Sequence, residues 1–209
     1  MDLASSAKII KARFVDYIIH NNFFTDNFCI GQEIMYGTNR LVADMVIISE
    51  SKLYAIEIKS ARDDLRRIDN QLLNYNKIFD YVYVITTDKY QAHIKNADDK
   101  IGIFTFSDNG DFQLTKKASL LKSFNKEEAL NTIPISFLKK YYQLKSSLLA
   151  HEVRANLCAK SKKSIKECLN LYLTNCISYK YANFISEKGE QSHFEDIAIL
   201  SFRDYYVLK

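Results

Sequence analysis

Three apolar runs of strand length, residues 28–36, 40–48 and 53–59, stand in a row with only Gly37-Thr38-Asn39 and Ser49-Glu50-Ser51-Lys52 between them. Gaps this short join antiparallel neighbours, so the three runs should form a meander. Before them, residues 6–20 place Ile10, Phe14, Tyr17 and Ile18 on one helical face. After them, residues 62–79 set Leu65, Ile68, Leu72, Tyr75 and Phe79 at three- and four-residue spacing. Tyr81-Val82-Tyr83-Val84-Ile85 then reads as a short buried strand, of the kind a helical crossover delivers parallel to a sheet. A short helix near 88–96 and strands near 101–106 and 112–116 follow. The order α-β-β-β-α-β, then more α and β, predicts an α/β fold with a mixed central sheet.

Beyond residue 117 the pattern turns helical. Residues 120–130, 136–157 and 164–184 carry apolar periodicity, with Pro134 between the first two. The expected division is therefore an α/β core over 1–117 and a basic helical extension over 118–209. Charge is placed unevenly across that boundary. Residues 1–110 hold 13 Lys/Arg against 15 Asp/Glu, whereas residues 111–209 hold 16 against 10. An acidic half suited to a cation is followed by a basic half suited to phosphate; the plainer reading of the second half is a lysine-rich surface in water.

Other classes are disfavoured. Five Gly and one Pro argue against long linkers. No apolar run reaches the roughly 18 residues of a membrane span, and Met1-Asp2-Leu3-Ala4-Ser5-Ser6 lacks the basic and apolar regions of a signal peptide. Cys29, Cys158, Cys168 and Cys176 show no zinc-site spacing and read as free thiols of a cytoplasmic protein. There is no P-loop, dinucleotide fingerprint or G-x-S-x-G.

The chemistry-bearing residues lie on the second and third runs and the helix after them. If the second hairpin is symmetric about Glu50/Ser51, Asp44 falls directly opposite Glu57, with Cβ atoms roughly 5 Å apart. Glu57 and Lys59 share a face by the period-two rule. The same logic at Gly37/Thr38 sets Glu33 opposite Val42 and on that face too. A carboxylate inside Leu41–Ile48 or Leu53–Lys59 is costly to bury unless it is paired or binds a metal; an exposed position or an ion pair with Lys59 or Arg40 is the structural alternative for Asp44. On the following helix, Asp64-x-x-Arg67-x-x-x-Gln71-x-x-x-Tyr75 forms one stripe beside the acidic sheet face, able to contact a phosphate, a base or the lysine; the alternative is that Tyr75 is core and Asp64–Arg67 a surface ion pair.

Asp44, then Glu57-Ile58-Lys59 thirteen residues on, within this element order, resembles the PD-(D/E)XK nuclease superfamily of restriction-endonuclease-like fold. Gln71-x-x-x-Tyr75 resembles the Q-x-x-x-Y motif of its RecB-like branch. The wider run Glu33 … Asp44 … Glu57-Ile58-Lys59-Ser60 … Asp64 … Arg67 … Gln71 … Tyr75 is similar to a small bacterial family within it. The resemblance covers residues 5–107. It implies a metal-dependent nuclease acting on DNA, or RNA, with a homodimer as one assembly option. Asp44, Glu57 and the Ile58 carbonyl would hold Mg²⁺ or Mn²⁺, Lys59 would act on the nucleophile and the developing charge, and Gln71 and Tyr75 would support the site. No Pro precedes Asp44. The extra acid or His that many members carry on the first helix has only Asp16 and His20 as candidates here, so Glu33 is preferred as the added carboxylate.

In the basic half, Lys139, Lys140, Lys145, Arg154, Lys160, Lys162, Lys163 and Lys166 fall within 28 residues that hold one acid, Glu152. With Arg67, the residues Lys139, Lys140, Arg154, Lys162 and Lys163 are the expected nucleic-acid contacts, through phosphates and without base readout. Two other functions compete: a nuclease-fold module that binds nucleic acid or a protein partner without catalysis, and an interaction protein that carries these residues by coincidence. The second of these becomes preferable if Asp44 and Glu57 face opposite sides of the sheet.

Overall fold

The computed structural model describes residues 6–24, 27–97 and 99–202. One mixed sheet of six strands organises them, in the order β1 (Phe28–Tyr36), β2 (Leu41–Ser49), β3 (Lys52–Lys59), β4 (Tyr81–Thr86), β5 (Gly102–Phe106) and β6 (Phe112–Lys116). The first three strands form the antiparallel meander required by their short turns, and β6 returns antiparallel to β5. β4 and β5 run parallel to β3, each after a helical crossover. The fold is thus α/β with a mixed sheet and a helical C-terminal region, as the sequence pattern predicts.

Helices cover both faces. α1 (Ala7–His20) lays Ile10, Phe14, Val15 and Ile18 on one face against Ile30, Met45, Ile47, Ile56 and Ile58. α2 (Ile68–Tyr75) and α3 (Asp88–Ala97) pack on the other face. That face is also covered by α4 (Lys126–Thr132), α5 (Ile135–Tyr141), α6 (Ala150–Cys158) and α7 (Lys162–Glu187). Leu130, Leu138, Val153, Leu157, Ile165, Leu169 and Ile177 share one continuous core with Val46, Leu53, Ala55 and Val82 of the sheet. The helical region beyond 117 therefore packs onto the α/β unit. Among the described residues no helix is long and apolar enough to cross a membrane.

The edge at β1 is closed in two ways. α7 crosses it at Gly31, where a Cβ would meet Ile177 Cγ1 at 2.8 Å, so only a glycine admits the helix this closely. Ser201 then bridges in parallel to Gln32, and Phe202 N–H donates to the Gln32 carbonyl at 3.1 Å. Covering an edge in this way removes a template for unwanted strand pairing.

Three expected helices begin or break elsewhere. Residues 117–125 carry no regular secondary structure, and their amides serve the sheet's rim instead: Leu121 N–H donates to Asp80 O at 2.8 Å and Asn125 N–H to Lys77 O at 2.8 Å. α4 starts only where the Asn125 side chain caps Glu128 N–H at 3.1 Å. The segment 136–157 breaks into α5 and α6 at Gln143, which is left-handed with φ 53°. The helix after β3 starts late, behind a 3-10 turn over Leu65–Arg67 capped by Asp64.

Candidate active site

The β2–β3 register is the one the hairpin argument predicts: Ser49 opposes Lys52 and Met45 opposes Ile56. The ladder stops there, one step short of Asp44. In place of a backbone partner, Asp44 Oδ2 accepts the Ile58 N–H at 3.0 Å. A strand residue's N–H and C=O leave on the same side, so the Ile58 carbonyl opens into the same gap beside Asp44.

The first hairpin differs from expectation. Its loop is the four residues Gly37–Arg40, with φ 70° at Gly37 and 52° at Arg40, so Tyr36 opposes Leu41 and Met35 opposes Val42. Glu33 thereby comes level with Asp44 rather than Val42, but that pair is missing from the ladder. Glu33 is left-handed, φ 55°. Side-chain alternation slips on both strands at this point: Ile34, Tyr36 and Ala43 enter the same core as Cys29, Val46 and Ile48. Glu33 turns away and its carboxylate accepts the Ser201 hydroxyl at 2.6 Å. The structure does not bring it to the other acids. Asp16 and His20 are likewise engaged elsewhere, Asp16 with Ser192 and Lys188, and His20 with its own helix.

Five of the expected side chains do converge. Glu57, only 2% exposed, is bonded on both oxygens. Lys59 Nζ lies 2.7 Å and Gln71 Nε2 2.7 Å from Oε1, and the Tyr75 hydroxyl donates to Oε2 at 2.5 Å. Lys59 Nζ also donates to Gln71 Oε1 at 2.9 Å, which closes a triangle of Glu57, Lys59 and Gln71. The three- and four-residue spacing of α2 turns Gln71 and Tyr75 toward the sheet, and packing locks Tyr75 there. Its ring stacks on Tyr36 at 5.3 Å and meets Phe79 edge-on at 5.6 Å. Tyr36 was not singled out from the sequence, where it reads as an ordinary end-of-strand aromatic.

Burial raises the Glu57 carboxyl above the usual carboxylate range, and the neighbouring Asp44 charge adds to that; Lys59 and the Tyr75 hydroxyl oppose it. Asp44 is tied to this strand through the Ile58 N–H, the residue between Glu57 and Lys59. Tyr75 is pushed well up by burial and then by the charges of Glu57 and Asp44, so its phenol stays a donor.

Among the described residues no group of three or more His, Cys, Asp or Glu is placed to hold a metal. Two carboxylates and a backbone carbonyl remain, all hard oxygen donors. That set fits Mg²⁺ or Mn²⁺, ions commonly bound through one or two carboxylates while keeping several waters.

A depression of about 540 Å³ opens over the cluster, lined by Lys59, Asp64, Arg66, Arg67 and Gln71. Asp64 pairs with Arg66 rather than Arg67, accepting its N–H at 2.8 Å and its guanidinium Nε. The basic residues of the second half do not line this opening. Lys140, Lys162 and Lys163 are exposed on the helical layer, Lys139 Nζ donates to the Ser146 carbonyl at 2.6 Å, and Arg154 is half-buried. Lys166 pairs with the buried Asp80.

Fold and cluster together define an α/β protein with an acid, lysine, amide and phenol gathered on one sheet face. The chain belongs to the family described as Bacteriophage P4 protein cII, whose model matches residues 3–201. Protein cII of Enterobacteria phage P4 is 24% identical over 204 residues, covering 92% of this chain and 76% of that one. A solved structure of the SPO1766 protein of unknown function from Silicibacter pomeroyi aligns over 63% of this chain and 85% of its own, with a TM-score of 0.43 and 16% identity.

Proposed function

We propose that this protein is a metal-dependent nuclease of the PD-(D/E)XK type that hydrolyses phosphodiester bonds in DNA. The observation that carries the reading is the bonded cluster of Glu57, Lys59, Gln71 and Tyr75 with Asp44 beside it. Asp44, Glu57 and the Ile58 carbonyl are the groups to hold Mg²⁺ or Mn²⁺. A cation there neutralises phosphate charge and makes water more acidic.

The chain's own residues do the rest. Tyr75 fixes one oxygen of Glu57, so that carboxylate keeps one orientation. Gln71 holds Lys59 through its carbonyl and Glu57 through its amide nitrogen, which stops the ammonium from swinging into solvent. Lys59 Nζ then stands ready to orient the attacking water and to donate to a phosphate oxygen as charge builds. Water adds to phosphorus, the bond to the 3′-oxygen breaks, and a proton passes to that oxygen. The products are a 5′-phosphate and a 3′-hydroxyl.

One feature favours a second reading, a nuclease-fold module that binds nucleic acid or a partner without cleaving. Both Glu57 oxygens already have donors within the protein, so a cation competes with an internally satisfied network. The deciding experiment incubates plasmid and oligonucleotide DNA with Mg²⁺ or Mn²⁺, alongside Asp44→Ala and Lys59→Ala. Cleavage by the wild type and loss in both variants supports hydrolysis at this site. No cleavage of any substrate supports the binding module, and equal cleavage by all three proteins marks a contaminant.

A further inference from the structure

We infer that Arg66 and Arg67 form a phosphate clamp at the mouth of the site, and that the strand they admit is single-stranded nucleic acid. This rests on the hydrolase reading above and names the substrate form and the residues that seize it.

The depression over Lys59 has three cationic side chains and one carboxylate in its lining. The carboxylate is not aimed at the cavity's contents. Asp64 accepts the Arg66 backbone N–H and its guanidinium Nε, bonds that do not use the two terminal nitrogens of Arg66. The Arg66 side chain is 89% exposed. Arg67, next along the chain, stands at the start of α2, and Gln71 follows one turn later. The two guanidiniums therefore ring the opening whose floor holds Lys59 and Gln71. A guanidinium presents two parallel donors that match two phosphate oxygens, which suits a phosphodiester better than a lone ammonium does. The volume, about 540 Å³, falls in the range of roughly 300–1,000 Å³ that encloses small organic groups.

Strand form follows from depth. Glu57 is 2% exposed, Tyr75 is fully buried and Lys59 is 9% exposed, so the reacting groups lie below the rim. A duplex is stiff over about 50 nm and carries its phosphates on a convex cylinder. A single strand bends one phosphate down to Lys59 while its neighbour stays with the arginines. Among the described residues no aromatic ring lines the depression, so base stacking adds little there, and affinity comes from charge with weak sequence preference.

The test is fluorescence anisotropy of a labelled single-stranded oligonucleotide and of its duplex, in EDTA so that no hydrolysis occurs. The wild type is expected to bind the single strand about tenfold more tightly than the duplex. Arg66→Gln/Arg67→Gln should weaken single-strand binding about tenfold and reduce the slope of log affinity against log salt by about 1.4, at roughly 0.7 per phosphate contact. Arg66→Lys/Arg67→Lys should recover the slope but not all of the affinity, since it keeps charge and loses the fork. Both sites are exposed, and circular dichroism checks that each variant is folded. Unchanged binding in the Gln variant, or preference for the duplex, overturns the clamp. Binding as expected without cleavage in Mg²⁺ or Mn²⁺ would count against hydrolysis alone and leave the clamp standing.

Discussion

The Tyr75 hydroxyl lies 2.5 Å from Glu57 Oε2, and both residues are buried. A helix side chain thus fixes the rotamer of a strand carboxylate from behind, while its front oxygen faces Lys59 and Gln71. Tyr75→Phe deletes that donor without emptying the space. Leaving a buried carboxylate short of a hydrogen bond costs about 1–3 kcal/mol. Urea unfolding in EDTA at pH 8 should show that loss, and Mn²⁺ titration calorimetry should show weaker binding. A Tyr75→Phe protein as stable and as metal-competent as wild type would reduce Tyr75 to core packing.

The raised Glu57 carboxyl gives a pH dependence of defined sign. Its folded-state value lies above its unfolded one, so the stability it confers is fully present below the unfolded carboxylate range. That stability is lost as pH rises through the folded value. Without metal, the melting temperature of wild type relative to Glu57→Gln should therefore fall as pH rises above the ordinary glutamate value of about 4.3. A difference that stays flat, or that grows with pH, would contradict the assignment.

Asp80 ties the helical layer to the sheet. It is 1% exposed, accepts Leu53 N–H at 3.0 Å and pairs with Lys166 of α7. Removing Asp80 takes the acceptor from the buried Leu53 N–H, a loss of about 1–3 kcal/mol, while Lys166, 30% exposed, can turn to water. Asp80→Ala should lose stability on that scale in denaturant unfolding. Asp80→Asn, which keeps an acceptor for Leu53, should lose distinctly less.

Thr86 sits beside Lys59 in the parallel ladder, fully buried, and among the described residues its hydroxyl has no hydrogen-bond partner. Thr86→Val keeps the shape and removes an unsatisfied polar group, so it should raise stability by about 1 kcal/mol. A loss of similar size would mean that the hydroxyl is bonded in solution.

The cysteines should separate by reactivity. Burial pushes the Cys29 and Cys168 thiols to about 11, so at pH 8 roughly one in a thousand is thiolate. Cys158 is exposed. Maleimide or iodoacetamide labelling with peptide mass spectrometry should modify Cys158 within minutes and reach Cys29 and Cys168 only after unfolding.

The sequence by itself determined the strand order, the β2–β3 register and the grouping of Glu57, Lys59, Gln71 and Tyr75. Each rests on a local rule: short gaps force hairpins, period two puts Glu57 and Lys59 on one face, and four-residue spacing aligns Gln71 with Tyr75. Only the tertiary structure decided where Glu33 goes, because a four-residue loop and a left-handed backbone cannot be read from a run of apolar residues. It also decided that α4–α7 share the sheet's core and that Lys166 serves Asp80 rather than a ligand. Lysines in a charge run look alike in sequence, and what separates them is burial, which depends on contacts distant along the chain. The gap beside Asp44 has the same origin: it exists because two ladders lose their step together at Glu33 and Asp44, a property of three packed strands and of none alone.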